Sequence, residues 1–222
     1  MAWQFDLQWV MNIESMRRCE MRPCDRVGCE RFPCVDVNHT GYHIPAIELD
    51  PERVSIILIS EAAPTHMVDG YYAEGSSLFA QTTMQAFNDA GVATTSIQDI
   101  LDLGVYLTTA VKCSKTAYGI QTATIEQCSQ ILADEIALFP NVKAFLLMGD
   151  VAIKAVNSIS RQAGLGRAIP AESTYKIRGQ QYYFRGARLF PSYLQAGPAF
   201  FIEKSKRKMI AEDLAAALAL AG

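Results

Sequence analysis

Two kinds of residue in this chain could do chemistry: its cysteines and one strategically placed carboxylate. Cys19, Cys24, Cys29 and Cys34 recur at every fifth position, interleaved with Arg17, Arg18, Arg22, Arg26 and Arg31. Cys113 and Cys128 stand far downstream, with fourteen residues between them. Asp6 and Glu14 interrupt the apolar residues near the N-terminus, so no secretory signal pattern is expected there and the cytoplasm is the expected compartment. Thiols stay reduced in that setting and serve as metal ligands or as small buried apolar groups. Two of the N-terminal cysteines joined to Cys113 and Cys128 would make a four-thiolate site for an iron–sulfur cluster or for zinc. The four N-terminal cysteines alone are a second arrangement, although C-x4-C-x4-C-x4-C is not a usual zinc spacing. His39 and His43 are alternate zinc ligands by proximity. The carboxylate is Glu61. It follows the β-branched run from Val54 to Ser60, at the carboxyl end of an expected strand, where a general base or a cation stabiliser would be held rigidly. A solvated loop residue or a helix cap is the plainer reading of the same position.

Those residues need elements to hold them. Val54–Ser60, Val105–Val111 and Lys143–Met148 are short, nearly continuous apolar runs, the pattern of strands buried on both faces. Between them the spacing predicts helices over 77–90, ended by Gly91, over 97–103, ended by Gly104, and over 124–138, opened by the capping-box sequence Thr124-Ile-Glu-Gln127. Another helix follows Gly149-Asp150, residues 180–189 read as a strand or hairpin, and a last helix spans about 199–221. Strands alternating with helices imply an α/β fold, three layers deep (α/β/α), around a central, mainly parallel, four-stranded sheet. Residues 1–50 form a Cys/Arg-rich segment packed on the main domain of residues 51–222, the whole making a single domain. In such sheets ligands bind beyond the carboxyl ends of the strands, which places Glu61, Lys112 and Gly149 near a site.

The chain has 222 residues, half of them hydrophobic and 19% charged, which is too apolar for a disordered chain and ample for a core. Lys and Arg number 20 against 23 Asp and Glu, a net charge of −3 that excludes a uniformly basic nucleic-acid coat but leaves room for a local basic patch. No apolar run reaches the length of a membrane span, so no membrane partner is expected.

The order of these features resembles the uracil-DNA glycosylase superfamily, in particular its iron–sulfur (family four) members. The resemblance is carried by Ser60-Glu61-Ala62-Ala63-Pro64, by Ser77-Leu78-Phe79-Ala80, and by Val105-Tyr106-Leu107-Thr108-Thr109-Ala110-Val111-Lys112-Cys113. It continues through Ile125-Glu126-Gln127-Cys128, Gly149-Asp150-Val151-Ala152 and Phe190-Pro191-Ser192. It runs over roughly residues 20–215 and is most specific from the second strand to Cys128. Thr109 stands where the family has an asparagine, and Phe190 where it has a histidine. The resemblance implies a DNA repair glycosylase that hydrolyses the N-glycosidic bond of uracil or another deaminated or damaged base. Its alternative on the same scaffold is a non-catalytic iron–sulfur protein that binds nucleic acid or a nucleotide. Glu61 and Thr109 would be the catalytic pair. Ala62, Phe79 and Phe190 would contact the flipped base, and Lys112 and Ser192 the DNA, with Lys115 and the run Lys204, Lys206, Arg207, Lys208 as further phosphate contacts. A [4Fe–4S] cluster, with zinc as the alternative, would be held by Cys113, Cys128 and two of Cys24, Cys29 and Cys34. The expected partner is single- or double-stranded DNA, bound by a monomer.

Overall fold

The computed structural model describes residues 20–75 and 77–222. Cys19, Arg17 and Arg18 lie outside the described residues. The strands are β1 (Val37–Asn38), β2 (Ile56–Ala63), β3 (Val105–Lys115), β4 (Ala144–Met148), β5 (Tyr182–Phe184) and β6 (Ala187–Ser192). They form one mixed sheet in the order β1-β3-β2-β4-β6-β5. The four central strands, β3-β2-β4-β6, are parallel, and an antiparallel strand closes each edge. The expected four-stranded sheet is therefore a six-stranded one. The additional strands are the two-residue β1, too short to show an apolar run, and β5, which pairs with β6 in a hairpin over the region read as a strand or hairpin, its turn residues Arg185 and Gly186 taking φ of 49° and 84°.

Alternation along the central strands builds two separate cores. Ile57, Ile59, Tyr106, Phe145, Leu147 and Leu189 face one layer, while Ile56, Leu58, Leu107, Leu146 and Phe190 face the other. The helices are α1 (Leu78–Asp89), α2 (Ile97–Asp102), α3 (Thr122–Ile136), α4 (Asp150–Gln162), α5 (Thr174–Ile177), α6 (Ala199–Ile202) and α7 (Lys204–Ala221). α3 and α4 cover the first face through Ile125, Leu132, Val156 and Ile159, and α1, α2 and α7 cover the second through Phe87, Ile100, Ile210 and Leu214. The expected last helix is two, because Glu203 has ψ of 70° and leaves the helical conformation between α6 and α7.

The expected capping box at Thr124 does not form. α3 begins two residues earlier, with Gln121 at the N-cap position but no side-chain cap, and Thr124 instead donates its hydroxyl hydrogen to Asp36. Asp36 also accepts from the Gln121 backbone N–H at 2.6 Å. Burial opposes ionisation of Asp36, but these hydrogen bonds outweigh it and hold the carboxyl below the ordinary aspartate range. The same contact ties the N-terminal segment to α3. The pairing of Val37 with Lys115 and of Asn38 with Ser114 and the His43 N–H bond to the Lys112 carbonyl complete the attachment, while a bridge between Met21 and Leu49 closes the segment on itself.

Lys112 lies at the irregular end of β3, where Ala62 pairs with Val111 but Ala63 pairs with Ser114. This bulge leaves Lys112 and Cys113 without partners on β2. The Lys112 side chain is fully enclosed. Its ammonium donates to Thr108 Oγ1 at 2.9 Å, to the Thr109 carbonyl at 2.6 Å and to the Glu135 carboxylate. Glu135 also accepts from Tyr106 Oη at 2.7 Å and Thr108 Oγ1 at 2.8 Å. All three ammonium hydrogens are used, so Lys112 is not a surface contact for DNA but half of a buried ion pair. Removing one partner leaves the other charged and enclosed. Glu135→Ala is expected to cost about 3–5 kcal/mol in urea unfolding, and the double change Lys112→Met with Glu135→Leu to recover most of that loss.

Candidate active cleft and cysteine cavity

A cleft of about 480 Å³ opens at the carboxyl end of β2, lined by Glu61, Ala62, Pro64, His66, Phe79 and Lys115 among others. Each element delivers its residue for a definite reason. β2 continues past its buried isoleucines to Ala63, so Glu61 is held by the sheet and not by a loop. Ser77 caps α1, accepting from Ala80 N–H at 3.3 Å and donating to the Gly70 carbonyl, and this fixes Phe79 in the first turn. The Phe79 ring packs on Tyr71 with centroids 5.3 Å apart. Gly149 approaches Glu61 so closely that a Cβ would lie 2.6 Å from Glu61 Oε1, and its φ of 100° also favours glycine. The far wall, Leu194 to Pro198, is anchored by buried Gln195, whose amide donates to Tyr71 Oη at 2.8 Å.

Glu61 has a partner that spacing did not reveal. Lys115 Nζ lies 2.5 Å from Glu61 Oε2, with the two side chains 29% and 16% exposed. The lysine is the last residue of β3, so the parallel pairing of β2 and β3 brings together two residues far apart in sequence.

The other expected site residues are dispersed. Thr109 is buried, and its hydroxyl is spent on the Val111 carbonyl at 3.0 Å. It lines a small neighbouring pocket with His43, Tyr71, Tyr72 and Phe79, whose free volume is only about 10 Å³. His43 was not singled out for this place. Its backbone N–H donates to the Lys112 carbonyl at 2.7 Å, and burial, followed by the Lys112 charge, pushes its imidazole below the ordinary histidine range. Phe190 does not reach the cleft. It faces the second core with the Arg188 guanidinium 5.0 Å from its ring centre. Ser192 is fully buried and donates to Asp213 Oδ2 at 2.6 Å, while Arg178 holds the same carboxylate at 2.8 Å, so Ser192 is a structural residue and not a DNA contact. In the basic run, Lys206 pairs with Glu203 and Arg207 with Asp89.

The cysteines converge more closely than their spacing suggested. Cys29, Cys34, Cys113 and Cys128 line one cavity of about 310 Å³, together with Phe32, His39 and Tyr42. Cys24 is not part of that lining, and its sulfur sits 3.7 Å from Asp25. Cys29 is placed by its N–H bond to Tyr42 Oη at 2.8 Å, and Phe32 takes a φ of 43° between the two N-terminal thiols. Cys128 Sγ accepts from the Lys112 backbone N–H at 3.2 Å. Burial, then the neighbouring Cys128, Cys34 and Cys29, pushes the Cys113 thiol up to about 12. Burial likewise raises Cys34 and Cys128. Grouped thiols that oppose one another's ionisation are the chemistry a metal centre reverses, since binding needs thiolates and expels their protons.

Among the described residues, no three His, Cys, Asp or Glu side chains close around a point as a single ion requires. The cavity's four-thiol wall and N–H···S bond are compatible with the [4Fe–4S] cluster that the resemblance implies, whose ligands spread around a wider body than a single ion. His39 lines this cavity, whereas His43 belongs to the other pocket. No known protein-family profile matches the chain, and no characterised protein matches it. Among the described residues no helix is long and apolar enough to cross a membrane.

Protein purified without oxygen is expected to carry about four iron atoms per chain. Serine at Cys29, Cys34, Cys113 or Cys128 is expected to remove most of that iron, and Cys24→Ser to leave it unchanged, by iron and sulfide analysis.

Proposed function

We propose that this chain is an iron–sulfur protein of the uracil-DNA glycosylase type, which hydrolyses the N-glycosidic bond of uracil or another deaminated or damaged base in DNA. The observation that carries the reading is the shared cleft of Glu61 and Phe79, a strand-held carboxylate beside an aromatic ring. The four-cysteine cavity supports the cofactor assignment, and Cys29, Cys34, Cys113 and Cys128 would hold the cluster. Bound there, it supplies structural cross-linking, and the chemistry belongs to the cleft.

The target nucleotide is turned out of the stack at a cost of a few kcal/mol, and its base stacks on Phe79. Breaking the glycosidic bond builds positive charge on the sugar. The Glu61 carboxylate stabilises that charge and orients the attacking water. The departing base needs hydrogen-bond donors. The Thr109 hydroxyl is already committed to Val111, so His43 is the better-placed donor. A neutral imidazole carries its donor and its acceptor on separate atoms, as the family's amide does, whereas a threonine hydroxyl offers both from a single oxygen.

One observation favours a second reading, a non-catalytic nucleic-acid- or nucleotide-binding protein. The pocket beside Thr109, with about 10 Å³ free, admits a base only after Tyr71, Tyr72 or Phe79 moves. The two readings separate on oligonucleotides carrying uracil or hypoxanthine, in single strands and in duplex. Base release that falls about 10²–10⁴-fold in Glu61→Gln supports the glycosylase. DNA binding without release, indifferent to Glu61→Gln, selects the binding protein.

A further inference from the structure

We propose that Lys115 gives the cleft a second activity, cleavage of DNA at abasic sites through an imine. The inference rests on the reading of this cleft as one that faces a DNA sugar. Lys115 and Glu61 both line the cleft, and the amine nitrogen lies 2.5 Å from the carboxylate. The backbone of Lys115 is fixed by its pairing with Val37 on the sheet edge, so the amine is presented from a strand. Its side chain is 29% exposed and, among the described residues, hydrogen-bonds only to Glu61. Lys112, three residues earlier, is enclosed and has all its hydrogens committed. Lys115 is therefore the lysine of this pair that a substrate can reach.

A deoxyribose that has lost its base opens to an aldehyde at C1′, the carbon to which the base was bonded. Any carboxylate placed to stabilise charge on that sugar brings its paired amine to the same carbon. Lysine amines add to carbonyl carbons and form imines. Glu61 takes a proton from the Lys115 ammonium, and the free amine attacks C1′. Glu61 returns the proton to the hydroxyl of the adduct, which leaves as water and yields a protonated imine. That cation draws electrons from the adjacent C2′–H bond. The C2′ proton passes to Glu61, and the C3′–O bond breaks to expel the 3′ phosphate. Water then hydrolyses the imine, freeing Lys115 and an unsaturated aldehyde on the upstream strand, while Glu61 gives its proton to solvent. No oxidant or reductant is consumed.

The test uses the full chain, purified without oxygen, and duplex DNA with a natural abasic site. Sodium borohydride reduces an imine to a stable amine and would join protein to DNA. The expected result is a covalent adduct with the wild-type protein, absent on a tetrahydrofuran analogue that has no aldehyde. The adduct is expected to fall about tenfold or more in Lys115→Arg, which keeps a cation beside Glu61 but supplies no amine nucleophile. Without borohydride the wild-type protein is expected to nick the abasic strand. No adduct, an adduct undiminished in Lys115→Arg, or an adduct without nicking would each overturn the proposal. Base release without an adduct would overturn it and leave the glycosylase reading standing. An adduct with nicking but no base release would support Lys115 and remove the glycosylase reading.

Discussion

The enclosed pair of Lys112 and Glu135 is the interaction on which both sites depend. A lysine buried in a sheet is tolerable only when every ammonium hydrogen is met by an oxygen and a carboxylate balances the charge. Here Thr108, Thr109 and Glu135 supply the oxygens. The pair joins the end of β3 to α3 and sets how the bulged segment runs. From that segment the Lys112 backbone N–H reaches Cys128 and its carbonyl receives His43. One residue thus orders a thiol of the cysteine cavity on one side and a wall of the small pocket on the other.

The central strands were legible because burial on both faces leaves a run with no polar alternation, as Ile56 to Ile59 shows. The same logic made Glu61 conspicuous, since it is where such a run turns polar. Lys112 was misread for the complementary reason. A lysine after an apolar run looks like the place where the strand meets solvent, and Glu135, its partner, lies 23 residues further on in a helix. Through the order of motifs in the resemblance, Phe190 was expected at the base and Ser192 at the DNA. Strand parity decides otherwise and turns Phe190 into the second core, while Asp213 and Arg178 enclose Ser192.

Local signals failed where a distant partner competes for the same group. Thr124 has the spacing of a helix cap, but the Asp36 carboxylate takes its hydroxyl hydrogen and the helix starts earlier. The cysteines show the converse. Among the described residues their five-residue period breaks at Cys24, which does not line the cavity, and membership is decided by the stretch that carries Cys29 and Cys34 and by β1, which lays the segment beside β3. His43 and the pairing of Lys115 with Glu61 had no local signature, since each arises only when separate segments meet at the sheet's carboxyl edge.

The two sites also share a backbone. Val37, three residues after Cys34, pairs with Lys115, two residues after Cys113. A cluster held by Cys29, Cys34, Cys113 and Cys128 would close a loop around that pairing, and metal binding would contribute to folding there directly. Without it, the segment is tied to the sheet edge by a two-residue strand, the Asp36 contacts and a few packed side chains. The Cys-rich segment therefore supports the position of the amine beside Glu61 although none of its described cysteines lines that cleft. In the proposed reading, losing the cluster would act on the cleft through the placement of Lys115.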